Sequence, residues 1–374
     1  MLLGPDNDTL AVAVNGRESA VQLWAVGAFP PRALSVALRH EPLVTSMAFS
    51  PSGRVLAVAF TDAVTRLWDV SHPASPVPLG VVDDDRGLCT VSHLPPDPPL
   101  PPAPCDHYDE VVAFTDDNTL AVGRVGDGHE RTPSAGLWDV SNPVRPEPRA
   151  TLRSPDGKPV GTLAADSRRR LVLAGRAQRF GPKGEVIDPA VVQLWTAADP
   201  RAPSLLAPLP LSLDPYLQSG NKIRFSTGDS LAAMTNREGR GVIDLVDLSQ
   251  PGEPLRRGHI PTTTGVINSY GAIDYSPDGH ALAVAHNNDC SIRLWDVRHP
   301  GLPRSIGQPL TGHRTNIISI DYSADGVLLV SAGTAGANPV GLPAVSTVRV
   351  WNLDPDENVR RICATTTSIT PQQW

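Results

Sequence analysis

Lysine is nearly absent from this 374-residue chain: only Lys158, Lys183 and Lys222 stand among its 32 basic residues. With 39 acidic residues the formal net charge is −7. A general nucleic-acid binder carries a basic surface, so no nucleic-acid partner is expected. The preference for arginine, with the alanine and proline load, fits a GC-rich genome. Cysteine is scarce too. Cys89, Cys105, Cys290 and Cys363 are too few and too scattered for a disulfide scaffold in a chain this long. No stretch approaches about 18 uncharged apolar residues, so no membrane-spanning helix is expected. The opening "MLLGPDNDTLAVAV" lacks a basic leader, a long apolar region and a small-residue cleavage site. These absences predict a cytoplasmic protein with neither nucleic acid nor membrane as partner.

Aromatics make up only 5 % of the residues, yet seven of them are tryptophans. Proline and glycine are abundant, at 39 and 31 residues, well above the usual share of roughly 12 % for the two together. They punctuate short apolar runs, which predicts many turns and short strands. One phrase recurs: "RLWDVSHP" at 66–73, "GLWDVSNP" at 136–143 and "RLWDVRHP" at 293–300.

The phrase closes a longer unit, clearest at 46–76: "SMAFSPSGRVLAVAFTDAVTRLWDVSHPASP". An alternating run, a "PSG" turn, an apolar run, a second turn and another alternating run read as three strands. A weaker fourth follows the prolines. Seven copies are legible, anchored at Trp24, Trp68, Trp138, Trp195, Val246, Trp295 and Trp351. The prolines Pro73, Pro143, Pro200, Pro251 and Pro300 each end the third strand, because proline brings no ladder donor. A lone small sheet with two apolar faces cannot bury both, and stacking copies around an axis solves this. The expectation is an all-β, seven-bladed β-propeller of four-stranded antiparallel blades. It spans residues 1–355, with a proline-rich inter-blade insertion at 83–110. The remaining 356–374 reads as a tail with a short C-terminal helix near the ring closure, capped by Asp354 or Asp356 with Val359, Ile362 and Cys363 on one side.

These units resemble WD40 repeats, and the tail "RRICATT…TPQQW" is similar to the ends of C-terminal WD40 regions in actinomycete multidomain signalling proteins. The resemblance implies a buried structural network of His, Asp, Ser or Thr, and Trp in each blade. Its members here are His40, Asp62 and Trp68; His259, Asp289 and Trp295; and His313, Ser331 and Trp351. Val58 and Val284 fall on the hydroxyl places and Val345 on an aspartate place, so no copy is complete. It also implies that connections from second to third strands share one rim with inter-blade connections. Arg176, Arg179, Phe180 and Lys183 lie in one such long connection and offer a candidate partner surface for an acidic peptide or phosphate. Neutral loop growth explains the same lengths.

Signs of chemistry are sparse. The chain has no G-x-x-x-x-G-K-[ST], no H-E-x-x-H and no G-x-S-x-G at a strand-to-helix turn. Cys89, His93, Cys105 and His107 have residue types that bind zinc, but the C-x-H pair is cramped, and no metal or other cofactor is expected. Asp274 and Asp321 are interior candidates on the inner strands, but their equivalent repeat positions read as a repeat feature. The expectation is a non-catalytic scaffold or sensor platform for protein or peptide partners. The alternatives are a regulatory fragment of a larger signalling ATPase, kinase or transcriptional regulator, and an enzyme using the central channel.

Overall fold

The computed structural model describes residues 2–6, 8–14, 19–26, 32–33, 38–40, 44–60, 64–82, 109–125, 134–156, 162–176, 179–180, 186–188, 191–209, 223–226, 231–236, 242–261, 272–286, 289–323, 325–337 and 343–354. They form seven antiparallel sheets and one small hairpin. Blade one holds β1 (Leu2–Leu3), β2 (Thr9–Val14) and β3 (Ser19–Ala25), with β4 (Arg32–Ala33) and β5 (Leu38–His40) both paired to β3. Blade two runs β6 (Val44–Phe49), β7 (Val55–Phe60), β8 (Thr65–Asp69), β9 (Val77–Val82). Blade three runs β10 (Asp109–Asp116), β11 (Thr119–Val125), β12 (Ser134–Asp139), β13 (Glu147–Leu152). In blade four, β14 (Thr162–Asp166), β15 (Leu171–Arg176), β18 (Val191–Thr196) and β19 (Ser204–Pro208) enclose the hairpin β16 (Arg179–Phe180) and β17 (Val186–Asp188). Blade five is β20 (Ile223–Phe225), β21 (Leu231–Asn236), β22 (Val242–Asp247), β23 (Leu255–Pro261). Blade six is β24 (Ile273–Tyr275), β25 (Ala281–His286), β26 (Ser291–Asp296), β27 (Arg304–Leu310). Blade seven is β28 (Ile317–Tyr322), β29 (Leu328–Ala337) and β30 (Pro343–Asn352).

Two expectations need correction. The blades are not uniformly four-stranded, and the described fold has no C-terminal helix. Blade seven has three strands, and the outer edge of blade one is broken into two short pieces. There β4 ends with Ala33 opposite Trp24 and β5 begins with Leu38 opposite Val21, so no single ladder runs along that edge. No helix occurs among the described residues, and 355–374 lie outside them. The helix signal rested on a capping aspartate and one apolar side. The β-branched run Thr365–Thr367 in the same tail weakens it.

The core lies between blades rather than within them. Seven apolar clusters each take residues from two neighbouring blades. Leu23 and Val58 share one, Leu67 and Leu120 the next, then Leu137 and Val172, Leu194 and Val246, Leu245 and Leu282, and Ile292 and Leu329. The seventh joins Leu3, Leu10, Val12 and Val26 of blade one to Val330 of blade seven and closes the ring. Each anchor residue packs into the cluster shared with the preceding blade: Trp68 with blade one, Trp138 with two, Trp195 with three, Val246 with four, Trp295 with five, Trp351 with six, and Trp24 with seven.

Candidate functional site

The recurring phrase is a structural device, residue by residue. Its tryptophan fills an inter-blade cluster. The next residue begins a turn with its side chain. Asp69 Oδ1 accepts the Ser71 N–H at 2.9 Å, Asp139 the Ser141 N–H at 2.8 Å, Asp247 the Ser249 N–H at 2.8 Å and Asp296 the Arg298 N–H at 3.1 Å. Thr196 and Asn352 do the same for Ala198 and Asp354. These are Asx-type turns. The bonds from Ser71 hold the Asp69 carboxyl below the usual carboxylate range. The third residue is buried, and its N–H reaches back to the turn between first and second strands: Val70 to Arg54, Val140 to Asn118 and Val297 to His280. The following proline sits at the second position of a β-turn closed by Ser75 N to His72 O, Arg145 N to Asn142 O, Ala202 N to Asp199 O, Glu253 N to Gln250 O and Leu302 N to His299 O.

These turns also tie blades together at the perimeter. The Gly80 N–H donates to the Pro143 carbonyl of the next blade at 2.9 Å. A Cβ at Gly80 would come within 2.6 Å of that oxygen. Gly258 of β23 meets the Pro300 carbonyl of blade six in the same way. Third and fourth strands are joined with a register shift at this level in blades two to six, so small residues (Gly80, Ala150, Ala207, Gly258, Gly307) stand where the edge bends toward its neighbour.

Of the network residues, the structure brings together His313, Ser331 and Trp351. His313 Nε2 lies 2.7 Å from Ser331 Oγ, and the Trp351 Nε1–H donates to the same oxygen at 2.8 Å. The place read as Val345 is taken by Thr347, whose Oγ1 is 3.2 Å from His313 Nδ1. Burial, then the Arg349 charge, lowers the pKa of His313 and keeps its ring neutral. Gly333 makes room for that ring, since a Cβ there would sit 2.8 Å from His313 Nδ1. His259, Asp289 and Trp295 are not gathered. His259 is exposed on β23 opposite Asp244. Asp289 accepts the Ser291 hydroxyl at 2.6 Å and pairs with Arg293 at 2.8 Å. Trp295 Nε1 finds no acceptor among the described residues. Trp68 Nε1 and Trp195 Nε1 are in the same state. Asp62 and the His40 side chain lie outside the described residues, as do Cys89, His93, Cys105, His107, Lys183 and the side chains of Arg176, Arg179 and Phe180.

Arg179 and Phe180 are placed by their backbone on β16, paired with Asp188 and Val186 of β17. This hairpin grows from the connection between the second and third strands of blade four. Thr347 and Arg349 escaped the sequence reading. Their signal was register: Thr347 stands four residues before its tryptophan, where blade six has Ser291. Phe60, His286 and Gly333 also share one register place, two residues beyond the partners of Arg66, Arg293 and Arg349. The Arg66 guanidinium lies over the Phe60 ring at 4.7 Å. Among the described residues no three His, Cys, Asp or Glu gather as a metal-binding group.

Comparison with known proteins gives three kinds of likeness. The family described as "WD domain, G-beta repeat" matches residues 34–69, 252–296 and 304–336. A stretch of 88 residues is 35 % identical to a component of chromatin assembly factor 1 from Gallus gallus, covering 22 % of this chain and 16 % of that protein. A stretch of 82 residues is 28 % identical to human (Homo sapiens) WD repeat and SOCS box-containing protein 1, again 22 % and 16 %. The similarity therefore spans only a small part of these curated relatives. The β-propeller domain of Myceliophteria_thermophila Cps50 (Swd1) superposes with a TM-score of 0.60 at 14 % identity, covering 94 % of this chain and 95 % of that one, which shows the shared fold. All three are eukaryotic, and none carries the actinomycete likeness.

Proposed function

We propose that this chain, a WD40 β-propeller, is a non-catalytic docking platform that presents a rim of loops to a protein or peptide partner. The observation that carries the reading is how its notable residues are used. Every anchor and every phrase aspartate is committed to an inter-blade cluster or a turn. The His–Ser–Trp group of blade seven has its nitrogens and hydroxyl bonded to one another. What varies between blades is the length of the connections.

The first partner surface we assign is the hairpin β16–β17 with Arg176, Arg179, Phe180 and Lys183, matched to an acidic or phosphorylated segment. An aromatic and an arginine inside polar surroundings make effective anchors. The test is affinity capture with quantitative comparison of the wild type and an Arg179→Ala, Phe180→Ala double variant, both confirmed folded by their unfolding midpoints. Loss of a specific bound set in the variant supports the surface, and an unchanged set refutes it. A second reading, in which the ring regulates a larger signalling protein of a bacterial cytoplasm, draws on the tail sequence and the arginine-rich composition. Sequencing the flanking reading frame tests it.

A further inference from the structure

Arg224 on β20, Asp274 on β24 and Asp321 on β28 take one register place in three successive inner strands, opposite Ala233, Ala283 and Val330. Both carboxyls reach forward to the next blade. Asp274 Oδ2 accepts the Tyr322 N–H at 2.8 Å. Asp321 Oδ2 accepts the Leu3 N–H, which spans the ring closure from blade seven to blade one. Between blades two and three a hydroxyl does similar work: Ser46 Oγ accepts the Val112 N–H at 3.3 Å. The Asp321 site differs because the Asp274 carboxyl, held on the amide that follows Asp321, stands beside its own.

Two carboxylates side by side and largely out of water do not both stay charged, so one keeps its proton. Among the described residues one positive charge faces the pair: Arg224 Nε is 3.5 Å from Asp274 Oδ1. It favours the charged form on Asp274 and leaves the proton to Asp321. We propose that Asp274 and Asp321 hold one proton between them and form a pH-dependent clasp across the seam of the ring.

The electrostatics agree. Burial, then the neighbouring Asp274, pushes the Asp321 pKa well above the usual carboxylate range. Burial also raises Asp274, with Arg224 opposing. The remaining groups around the pair are few. From β1 comes the Leu3 amide, and from β28 itself Tyr322, whose phenol pKa is raised by burial and then by Asp274. The strand β29 has no ionisable side chain, and β25 has only His286, whose electrostatic partners are Arg293 and Asp289. A folded-state pKa raised above the unfolded one means that the clasp's stabilisation is full below the unfolded carboxylate pKa. It is lost as pH rises through the folded pKa of the pair.

Asp321→Asn tests this in the full chain. The amide oxygen still accepts the Leu3 N–H, and the amide nitrogen donates permanently to Asp274. Urea unfolding of the variant and the wild type is compared from about pH 5 to about pH 9. The folded-to-unfolded ratio of the variant relative to wild type should climb, by up to about tenfold per pH unit, until the pair has titrated, and then level off. A relative ratio that stays constant across the range overturns the proposal, since a merely structural contact gives a fixed offset. The wild type supplies an independent readout that survives a variant that fails to fold. Carboxyl carbon resonances should show one of the two aspartates still protonated well above about pH 4. Both titrating near that value overturns the clasp.

Discussion

One hydroxyl separates blade seven from its siblings. Ser331 serves both His313 and Trp351, whereas Trp68, Trp195 and Trp295 face Val58, Ala174 and Val284 at the same register place. Ser331→Ala leaves two buried nitrogens unpaired and should lower stability by about 1–3 kcal/mol in a denaturant titration. His286 gives a pH prediction of opposite sign to the clasp. It is buried, and burial, followed by the Arg293 charge, depresses its pKa to about 4. Its contribution is therefore full above the ordinary histidine pKa of about 6.5 and lost as pH falls toward the folded value, a loss of up to roughly 3 kcal/mol. His286→Phe, the residue that blade two carries there as Phe60, should flatten this acid limb. Thermal midpoints at near-neutral and mildly acidic pH check it, and an unchanged difference between them refutes it. His313, Ser331 and Trp351 were legible in the sequence because each sits in a local motif. Thr347 was not, because its role depends on a ladder register that only the folded sheet fixes.

At the scale of the element, the turns were the most readable part. "SPSG", "SPDG" and "SADG" build one design: Gly53, Gly279 and Gly326 lie at φ of +73°, +76° and +75°. The Ser276 and Ser323 hydroxyls accept the Ala281 and Leu328 N–H groups, both at 2.8 Å. Outer strands were harder, because their bend toward the next blade is decided by a carbonyl some 60 or 40 residues away rather than by local preference. Gly258 shows the difficulty: its neighbour His259 reads as a network histidine, yet Gly258 lies in β23, pressed on Pro300. Gly258→Ala should destabilise by about 1–3 kcal/mol through that overlap. Gly252 has nothing within 4 Å of an added Cβ, so Gly252→Ala should change the unfolding midpoint little. Equal effects of the two substitutions would contradict the inter-blade latch.

At the scale of the molecule, the tryptophan spacing pointed to stacked copies. How the stack closes was not readable, since closure joins Leu3 to Asp321 and Leu10 to Val330 from opposite ends of the chain. Because each cluster belongs to two blades, damage at one anchor is felt on both sides. Trp195→Ala should cost about 3–5 kcal/mol. Hydrogen exchange should quicken in β11 and β12 of blade three as well as in β15 and β18 of blade four. Exchange that quickens in blade four alone would refute the shared core.

Among the described residues, the seventh cluster holds five buried ones, Leu3, Leu10, Val12, Val26 and Val330, fewer than any of the other six. On that packing the circle is expected to part first at this joint on warming, which earlier hydrogen exchange in β2 and β29 than in β15 and β22 would show. The molecule then turns from a closed washer into a split one, with its last and first wedges sprung apart while the other five still lean on one another.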